Sequence, residues 1–145
     1  MDKKTGFASA VIVAGGSGTR MGRPKQMLPL AGQPVLFRTV RAFLNTPEIA
    51  QVVVVTPLEN QALLQKEFQN LVYALPGETR LASVINGVAK TDASLPVVAV
   101  HDGARPLVKP GFISRCVREA QEYGAAVLAV PVKDTVKVCQ NSTVE

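Results

Sequence analysis

The sequence predicts an α/β fold in which helices cover both faces of a mainly parallel sheet, and two observations carry this prediction. Five short runs rich in Val, Ile and Ala have the near-continuous apolar character of strands that are buried on both faces. Segments with helical spacing alternate with these runs, which is typical of parallel strands joined by right-handed crossovers. The predicted strands are Ser9–Ala14, Gln51–Thr56, Leu71–Leu75, Val97–His101 and Ala125–Val130.

The first two predicted helices begin at prolines. Pro34 lies in the first turn of one, and Thr56-Pro57 opens the next with Thr56 as its cap. The apolar residues that mark the first helix are Leu36, Val40, Phe43 and Leu44.

The third and fourth helices are predicted from apolar residues at helical spacing. In the third, we expect the face of Leu81, Val84 and Val88 to be buried. The fourth ends at Gly124, which we expect to form a left-handed cap. The residues that mark these two helices are Leu81, Val84, Ile85 and Val88, then Ile113, Cys116, Val117 and Ala120.

Composition bounds the class of protein and of ligand. The 145 residues, 47% hydrophobic and 19% charged, predict one globular domain with a buried core. A formal net charge of +5 suits nucleic acid, an anionic membrane surface or small phosphorylated ligands. No run of five basic residues occurs and there is no Trp, so small anionic ligands fit better than nucleic acid.

Two features predict a cytoplasmic protein with no membrane partner. Cys116 and Cys139 form neither a CxxC pair nor a zinc spacing, as expected of reduced thiols. The apolar stretch Ala8–Ala14 is too short to span a membrane and lacks the features of a secretory signal.

A glycine-rich loop with basic residues, Ala14–Gln26, follows the first predicted strand and reads AGGSGTRMGRPKQ. Ligands of open parallel sheets bind beyond the carboxyl ends of the strands, where glycines let backbone N–H groups approach phosphate oxygens. Arg20 and Lys25 supply charge that compensates phosphates. A flexible surface turn is the alternative, but Arg20, Pro24 and Lys25 together after a buried strand favour a phosphate-binding loop.

Two commoner glycine loops do not match. A dinucleotide fingerprint needs a glycine at position 21, which is Met, and Gly22 comes one residue late. A Walker loop needs GxxxxGK followed by Ser or Thr, and the sequence has none.

The loop resembles the signature of nucleotidyltransferases that activate sugar and polyol phosphates, most closely that of the 2-C-methyl-D-erythritol 4-phosphate cytidylyltransferase family. The resemblance implies a Rossmann-like three-layer sandwich of nucleotidyltransferase type, which transfers a cytidylyl group from CTP to the polyol phosphate and releases pyrophosphate. Arg20 and Lys25 would be catalytic, neutralising charge that develops at the α-phosphate. The loop residues implied to bind the nucleotide are Ala14, Gly15, Gly16, Ser17 and Gly18.

The segment PGETRLASV, residues 76–84, resembles the family motif GGxxRxxSV. The resemblance implies that Gly77, Glu78 and Ser83 lie near the cytosine. Pro76 and Glu78 stand where many members have Gly and Asp. An ordinary capped helix is the alternative interpretation.

The segment VHDGARP, residues 100–106, resembles the family motif VHDxARP. A carboxylate just past a buried strand is well placed for Mg²⁺, which prefers one or two carboxylates with phosphate oxygens and water. Asp102 is therefore the predicted metal ligand, and Asp102, Gly103 and Arg105 are predicted to contact the substrate, with organisation of the loop as the alternative role of Arg105. We interpret His101 as a packed residue at the strand end rather than a catalyst.

The last motif and the end of the chain complete the resemblance. AVPVKDTVK, residues 129–137, resembles APVxDTxK and implies that Thr135 contacts the polyol, with a solvated strand end as the alternative for Lys133 and Asp134. The chain stops at Glu145 in a segment typical of a hairpin or an extended arm. We therefore expect residues 1–145 to be a cytidylyltransferase domain truncated at the start of a dimerisation arm, from a protein that is a homodimer.

Two other functions stay open at this point. One is a cytidylyltransferase for ribitol 5-phosphate or another polyol phosphate. The other is a nucleotide-binding domain without catalytic activity, although Arg20, Lys25 and Asp102 together argue against it.

Overall fold

The computed structural model describes residues 6–16, 18, 22, 24–134, 139–140 and 143–144. Four helices alternate with the four strands of the central sheet, as predicted. Four two-residue strands form two small hairpins. The helices are α1 (Val35–Leu44), α2 (Leu58–Glu67), α3 (Arg80–Val88) and α4 (Pro110–Tyr123). The strands are β1 (Ala8–Val13), β2 (Pro29–Leu30), β3 (Gln33–Pro34), β4 (Ile49–Val55), β5 (Val72–Ala74), β6 (Val97–Asp102), β7 (Cys139–Gln140) and β8 (Thr143–Val144).

The central sheet has the strand order β5-β4-β1-β6, and all its pairings are parallel. Ala10 of β1 lies opposite Val52 on one side and Ala99 on the other. Strand β1 is almost completely buried because helices cover both of its faces. This burial explains why its apolar run is nearly continuous rather than alternating.

The core forms three layers, which confirms the predicted α/β architecture. Helices α1, α2 and α4 pack on one face of the sheet, and α3 packs on the other. Because successive side chains of a strand point to opposite faces, β4 sends Val54 to the first layer and Val53 to the second. The buried helix residues of the larger cluster are Leu36, Val40, Phe43, Leu64, Ile113 and Val117.

The prediction that Ala125–Val130 forms a buried strand was wrong. These residues follow α4 without regular secondary structure, and all of them are exposed. Val127 and Val130 each expose 85% of their surface. Strand β6 is the edge of the described sheet, so none of the described strands pairs with its outer side, where a fifth strand would lie.

The predicted buried face of α3 was also wrong. Leu81 and Val88 are exposed and Val84 is half-buried, whereas Ser83 and Gly87 face the sheet. A Cβ atom added to Gly87 would overlap the side chain of Val11 and lie 2.7 Å from that of Val55. The helix therefore packs on its small residues, which bring its backbone against the strands.

The helix ends were predicted with mixed success. Thr56 does not cap α2, since its hydroxyl donates to the Ala14 carbonyl at 3.4 Å and accepts from Asn60. Gly124 ends α4 with a φ of 87°, which confirms the left-handed cap.

The two-residue strands β7 and β8 pair antiparallel, in agreement with the predicted hairpin. Among the described residues, the longest helices are too short or too polar to cross a bilayer.

Candidate functional site

The candidate site lies where the carboxyl ends of the four parallel strands meet. The chain moves from β1 outward to β4 and β5, then returns to the other side of β1 to form β6. The direction of winding reverses between β1 and β6, and ligands of open α/β sheets bind at such a switch point. The glycine-rich loop follows β1, and Asp102 ends β6, so both border this crevice.

The described part of the glycine-rich loop packs against the segment that follows β5. Ala14 is buried, Gly16 is exposed, and Gly18 has a φ of 71°. A Cβ atom at Gly15 would overlap the Cβ of Pro76, so only glycine permits this approach. Pro76, which departs from the family motif, is therefore in direct contact with the loop.

Lys25 and Gln26 lie in a single turn of 3-10 helix, Lys25–Met27, at the end of the loop. Lys25 is exposed and faces solvent on the surface of this turn. Gln26 is 5% exposed, and its amide donates to the carbonyls of Ala14 and Gly16. Gln26 had no predicted role, since a three-residue turn has no periodicity that marks an inward-facing side chain.

The segment before α3 builds its own helix start. The Thr79 hydroxyl accepts from the Ala82 N–H at 3.0 Å, which caps the helix. The Ser83 hydroxyl accepts from the Gly77 N–H at 3.0 Å and donates to the Thr79 carbonyl at 3.0 Å. Ser83 is buried and shapes the turn, whereas Glu78 is exposed at its outer side. Both remain predicted nucleotide contacts.

Asp102 is held between two arginines. Arg80 of α3 donates to its Oδ1 atom from Nη2 at 2.8 Å and from Nε at 3.2 Å. Arg105 donates from Nε to Oδ2 at 2.9 Å. Partial burial raises the pKa of the Asp102 carboxyl, but the hydrogen bonds and charges of both arginines lower the pKa by more, to below its usual value. Asp102 is therefore ionised near neutral pH.

Gly103 connects the turn that carries Asp102 to the end of β1. Its N–H donates to the Val13 carbonyl at 2.8 Å, and its carbonyl accepts from the Thr39 hydroxyl at 2.9 Å. Gly103 is buried, so its described contacts are with the protein. Through it, Asp102 and Arg105 are brought next to the glycine-rich loop.

The three predicted segments are thus joined by direct contacts, and the comparisons with known proteins agree with this site. Residues 8–145 match the family model for 2-C-methyl-D-erythritol 4-phosphate cytidylyltransferase. The chain belongs to that cytidylyltransferase family. A bifunctional enzyme IspD/IspF from Desulfotalea psychrophila is 46% identical over 136 residues, covering 89% of this chain and 35% of the relative.

Other members of the cytidylyltransferase family are similar over nearly the same range. The chloroplastic 2-C-methyl-D-erythritol 4-phosphate cytidylyltransferase of Oryza sativa is 38% identical, over 93% of this chain and 48% of its own length. The enzyme of Caldanaerobacter subterraneus is 42% identical, over 90% of this chain and 61% of its own length. This chain therefore spans between about a third and three fifths of these relatives.

A solved structure supports the fold of this family member. The 4-diphosphocytidyl-2C-methyl-D-erythritol synthase of Anaerococcus prevotii superposes with a TM-score of 0.80 and 26% sequence identity. The superposition covers 96% of this chain and 62% of that structure. The Rossmann-like nucleotidyltransferase fold is thereby confirmed.

His101 is a packed residue at the end of β6, as interpreted from the sequence. Its ring lies 5.1 Å from that of Phe43, centroid to centroid. Its Nδ1 atom is buried and has no hydrogen-bond partner among the described residues. Burial lowers the pKa of His101, as does the charge of Arg105, and the nearby Asp102 only partly offsets this.

Some predicted site residues lie outside the described part of the chain, and the described part contains no cluster of metal-binding side chains. Ser17, Arg20 and Thr135 lie outside the described part of the chain. Lys133 and Asp134 are described and exposed. Within the described ranges, no group of three or more His, Cys, Asp or Glu side chains is arranged to bind a metal ion.

Proposed function

We propose that this chain forms the nucleotide-binding part of an enzyme that transfers the cytidylyl group of CTP to 2-C-methyl-D-erythritol 4-phosphate. The observation that carries the proposal is the junction of three segments at the switch point of the sheet. Gly15 contacts Pro76, Arg80 pairs with Asp102, and Lys25 lies near the end of the loop. Such a crevice offers backbone groups and positive charge to a triphosphate, and the family membership supports CTP and the polyol phosphate as substrates.

The proposed reaction is an in-line displacement at phosphorus. A phosphate-monoester oxygen of the polyol forms a bond to the α-phosphorus of CTP, while the bond from that phosphorus to the bridging oxygen breaks. Pyrophosphate leaves with the electron pair. Since the attacking oxygen is already anionic, no general base is required, and positioning and charge stabilisation supply the catalysis. Lys25 and Arg20 are assigned to the charge that develops at the α-phosphate.

Magnesium is proposed as the cofactor, with Asp102 as its protein ligand. An ionised carboxylate offers about four lone-pair positions, and Oδ2 of Asp102 accepts only one of the described hydrogen bonds. A single carboxylate beside substrate phosphates suits Mg²⁺, which retains water and needs few protein ligands. When bound, the ion would neutralise phosphate charge. Arg80 and Arg105 hold the carboxylate by hydrogen bonds and favour its ionised form.

We also propose that the complete protein is a cytoplasmic homodimer. The resemblance supports the dimer, and the absence of a disulfide or zinc spacing at Cys116 and Cys139 supports the location. Sedimentation of the complete protein at several concentrations tests the dimer directly.

The experiment that tests the main proposal measures nucleotide binding and pyrophosphate release together. CTP is expected to bind at least about tenfold more tightly than ATP or GTP by calorimetry, a difference of about 1.4 kcal/mol. Pyrophosphate release is then measured with CTP, Mg²⁺ and either 2-C-methyl-D-erythritol 4-phosphate or ribitol 5-phosphate. Equal binding of all three nucleotides contradicts the base selectivity. Turnover with ribitol 5-phosphate alone reassigns the substrate, and CTP binding without turnover identifies a non-catalytic domain.

A further inference from the structure

Gln26 is the one buried side chain of the 3-10 turn at the end of the glycine-rich loop. Its Nε2 atom donates to the Ala14 carbonyl at 3.0 Å and to the Gly16 carbonyl at 2.8 Å. A side-chain amide nitrogen carries two hydrogens, so these two bonds use its full donor capacity. The side chain is only 5% exposed, which makes both bonds costly to leave unmade.

These two bonds fix the first turn of the loop from inside. The Ala14 carbonyl also accepts from the Thr56 hydroxyl, and the Ala14 N–H donates to the Val55 carbonyl at 2.8 Å. In a trans peptide the carbonyl and the following N–H point in opposite directions. Because the Ala14 carbonyl points toward Gln26, the N–H of Gly15 points away from it. Gln26 thereby orients a backbone donor of the loop.

The Gln26 side chain also determines the direction in which the Lys25 side chain projects. A 3-10 helix has three residues per turn, so neighbouring side chains project about 120° apart. With Gln26 directed inward, Lys25 is directed to the exposed side of the turn. The backbone of the turn cannot rotate without breaking the bonds to Ala14 and Gly16.

We propose that Gln26 is a positioning residue that couples the two parts of the phosphate-binding loop, fixing the glycine backbone and Lys25 in one geometry. This inference rests on the proposed function, because it assigns Gln26 to the same nucleotide site. Gln26 contacts no reacting atom. It acts through Gly15, Gly16 and Lys25.

Two substitutions and a matched control test the proposal in the protein. Gln26→Met keeps the length of the side chain and removes its donors. Gln26→Glu keeps the shape but places a carboxyl group against two carbonyls, where it donates a hydrogen bond only when protonated. The control is Gln61→Met, since Gln61 also donates its amide to a strand-end carbonyl, that of Thr56 at 3.0 Å, but lies outside the loop.

We expect Gln26→Met to lower kcat by at least about tenfold, with a smaller rise in KM for CTP, while Gln61→Met stays near wild type. Relative to wild type, Gln26→Glu should regain activity as the pH falls, and Gln26→Met should not. Without any nucleotide, the amide resonances of Gly15 and Gly16 should move in both Gln26 variants and not in Gln61→Met.

The outcomes separate this inference from the proposed function. If wild type releases no pyrophosphate from CTP, the proposed function fails, and the glycine resonances still report whether Gln26 fixes the loop. If wild type is active and Gln26→Met matches Gln61→Met in kcat and in the glycine resonances, Gln26 is not a positioning residue. A lower melting temperature for Gln26→Met, with kcat unchanged well below that temperature, also overturns the inference, because Gln26 would then only stabilise the fold.

Discussion

Asp102 partly neutralises two arginines of the candidate site before any ligand binds. Two guanidinium groups share one carboxylate, and the side chains of Arg80 and Arg105 are 64% and 74% exposed. At this exposure, each ion pair alone contributes little to stability. The arrangement is therefore better suited to orienting charge toward a ligand than to stabilising the fold.

Asp102→Asn is expected to remove most Mg²⁺-dependent activity and to leave the fold intact. The side chain is 33% exposed and lies outside the core, so the substitution costs little packing. Activity is titrated with Mg²⁺ beside a thermal unfolding curve. Asp92→Asn is the control, because Asp92 is an exposed carboxylate that bonds to Ser94. An unchanged Mg²⁺ dependence would move the metal ligand elsewhere.

Lys25→Ala is expected to lower kcat by roughly 10²–10³, the scale of losing one preorganised charge-stabilising group. The affinity for CTP should fall far less, because the loop backbone is untouched. Steady-state kinetics and calorimetry measure the two effects separately. Lys90→Ala, at an exposed position after α3, should change neither. A kcat within threefold or so of wild type would exclude Lys25 from transition-state stabilisation.

His101 is expected to make folding stability fall as the pH falls below about 6.5, the usual pKa of histidine. Its pKa is lowered in the folded protein, so the unfolded chain binds the proton first and protonation favours unfolding. The contribution is complete above the unfolded pKa and decreases until the pH passes the folded pKa. His101→Phe should flatten this part of a urea-unfolding series measured between pH 7 and 5. Since His101 is the only histidine of the sequence, imidazole NMR assigns the titration without ambiguity.

At the scale of the element, α3 shows how a helix can pack through its smallest residues. Ser83 and Gly87 face the sheet, and the larger apolar side chains Leu81 and Ile85 are 68% and 59% exposed. The close approach of the helix axis places its first turn, with Arg80, within reach of Asp102. Packing at one end of the helix thus supports the geometry of the site at the other.

Gly87→Ala is expected to destabilise the protein by about 1–3 kcal/mol, since a methyl group there overpacks the contact with Val11 and Val55. Gly111→Ala in α4 is the matched control, because its Cβ would meet open space. That substitution should change the stability little, because Gly111 lies in the first turn of α4, where the cost of glycine is smaller than in the middle of a helix. Urea unfolding of both variants gives the two free energies. Equal effects of the same sign would show that α3 does not pack as closely as described.

At the scale of the whole molecule, the sequence predicted the layers better than the contacts between them. Strands β1, β4, β5 and β6 were found within two residues at each end, because the strands of a parallel sheet form continuous apolar runs. The prediction that β6 is buried on both faces was wrong, since Val98 and Val100 are exposed. The Ala125–Val130 strand and the α3 face were wrong for one shared reason. An apolar pattern records that residues favour burial but not which element covers them.

The site was predicted from its motifs and not from its connections. The segments around Gly15, Gly77 and Asp102 meet at one edge of the sheet, as their positions after strands required. The connecting side chains, Gln26 and Arg80, were not identified as such. Each makes its contact across a distance in sequence that spacing cannot reveal, 10–12 residues for Gln26 and 22 for Arg80.

The hydrogen bonds that begin α3 have a thermodynamic consequence for ligand recognition. The amides of Ala82 and Ser83 are held by Thr79, and the Gly77 amide is held by Ser83, so the proposed base-recognition segment and the first helical turn are one hydrogen-bonded unit. A helix end frays locally, and a ligand that binds only the ordered form suppresses this opening in proportion to its free concentration. If the nucleotide binds this segment as proposed, we expect its affinity and the deuterium-exchange rate of these three amides to change together. A loosened helix start weakens recognition even when every atom that touches the base is retained.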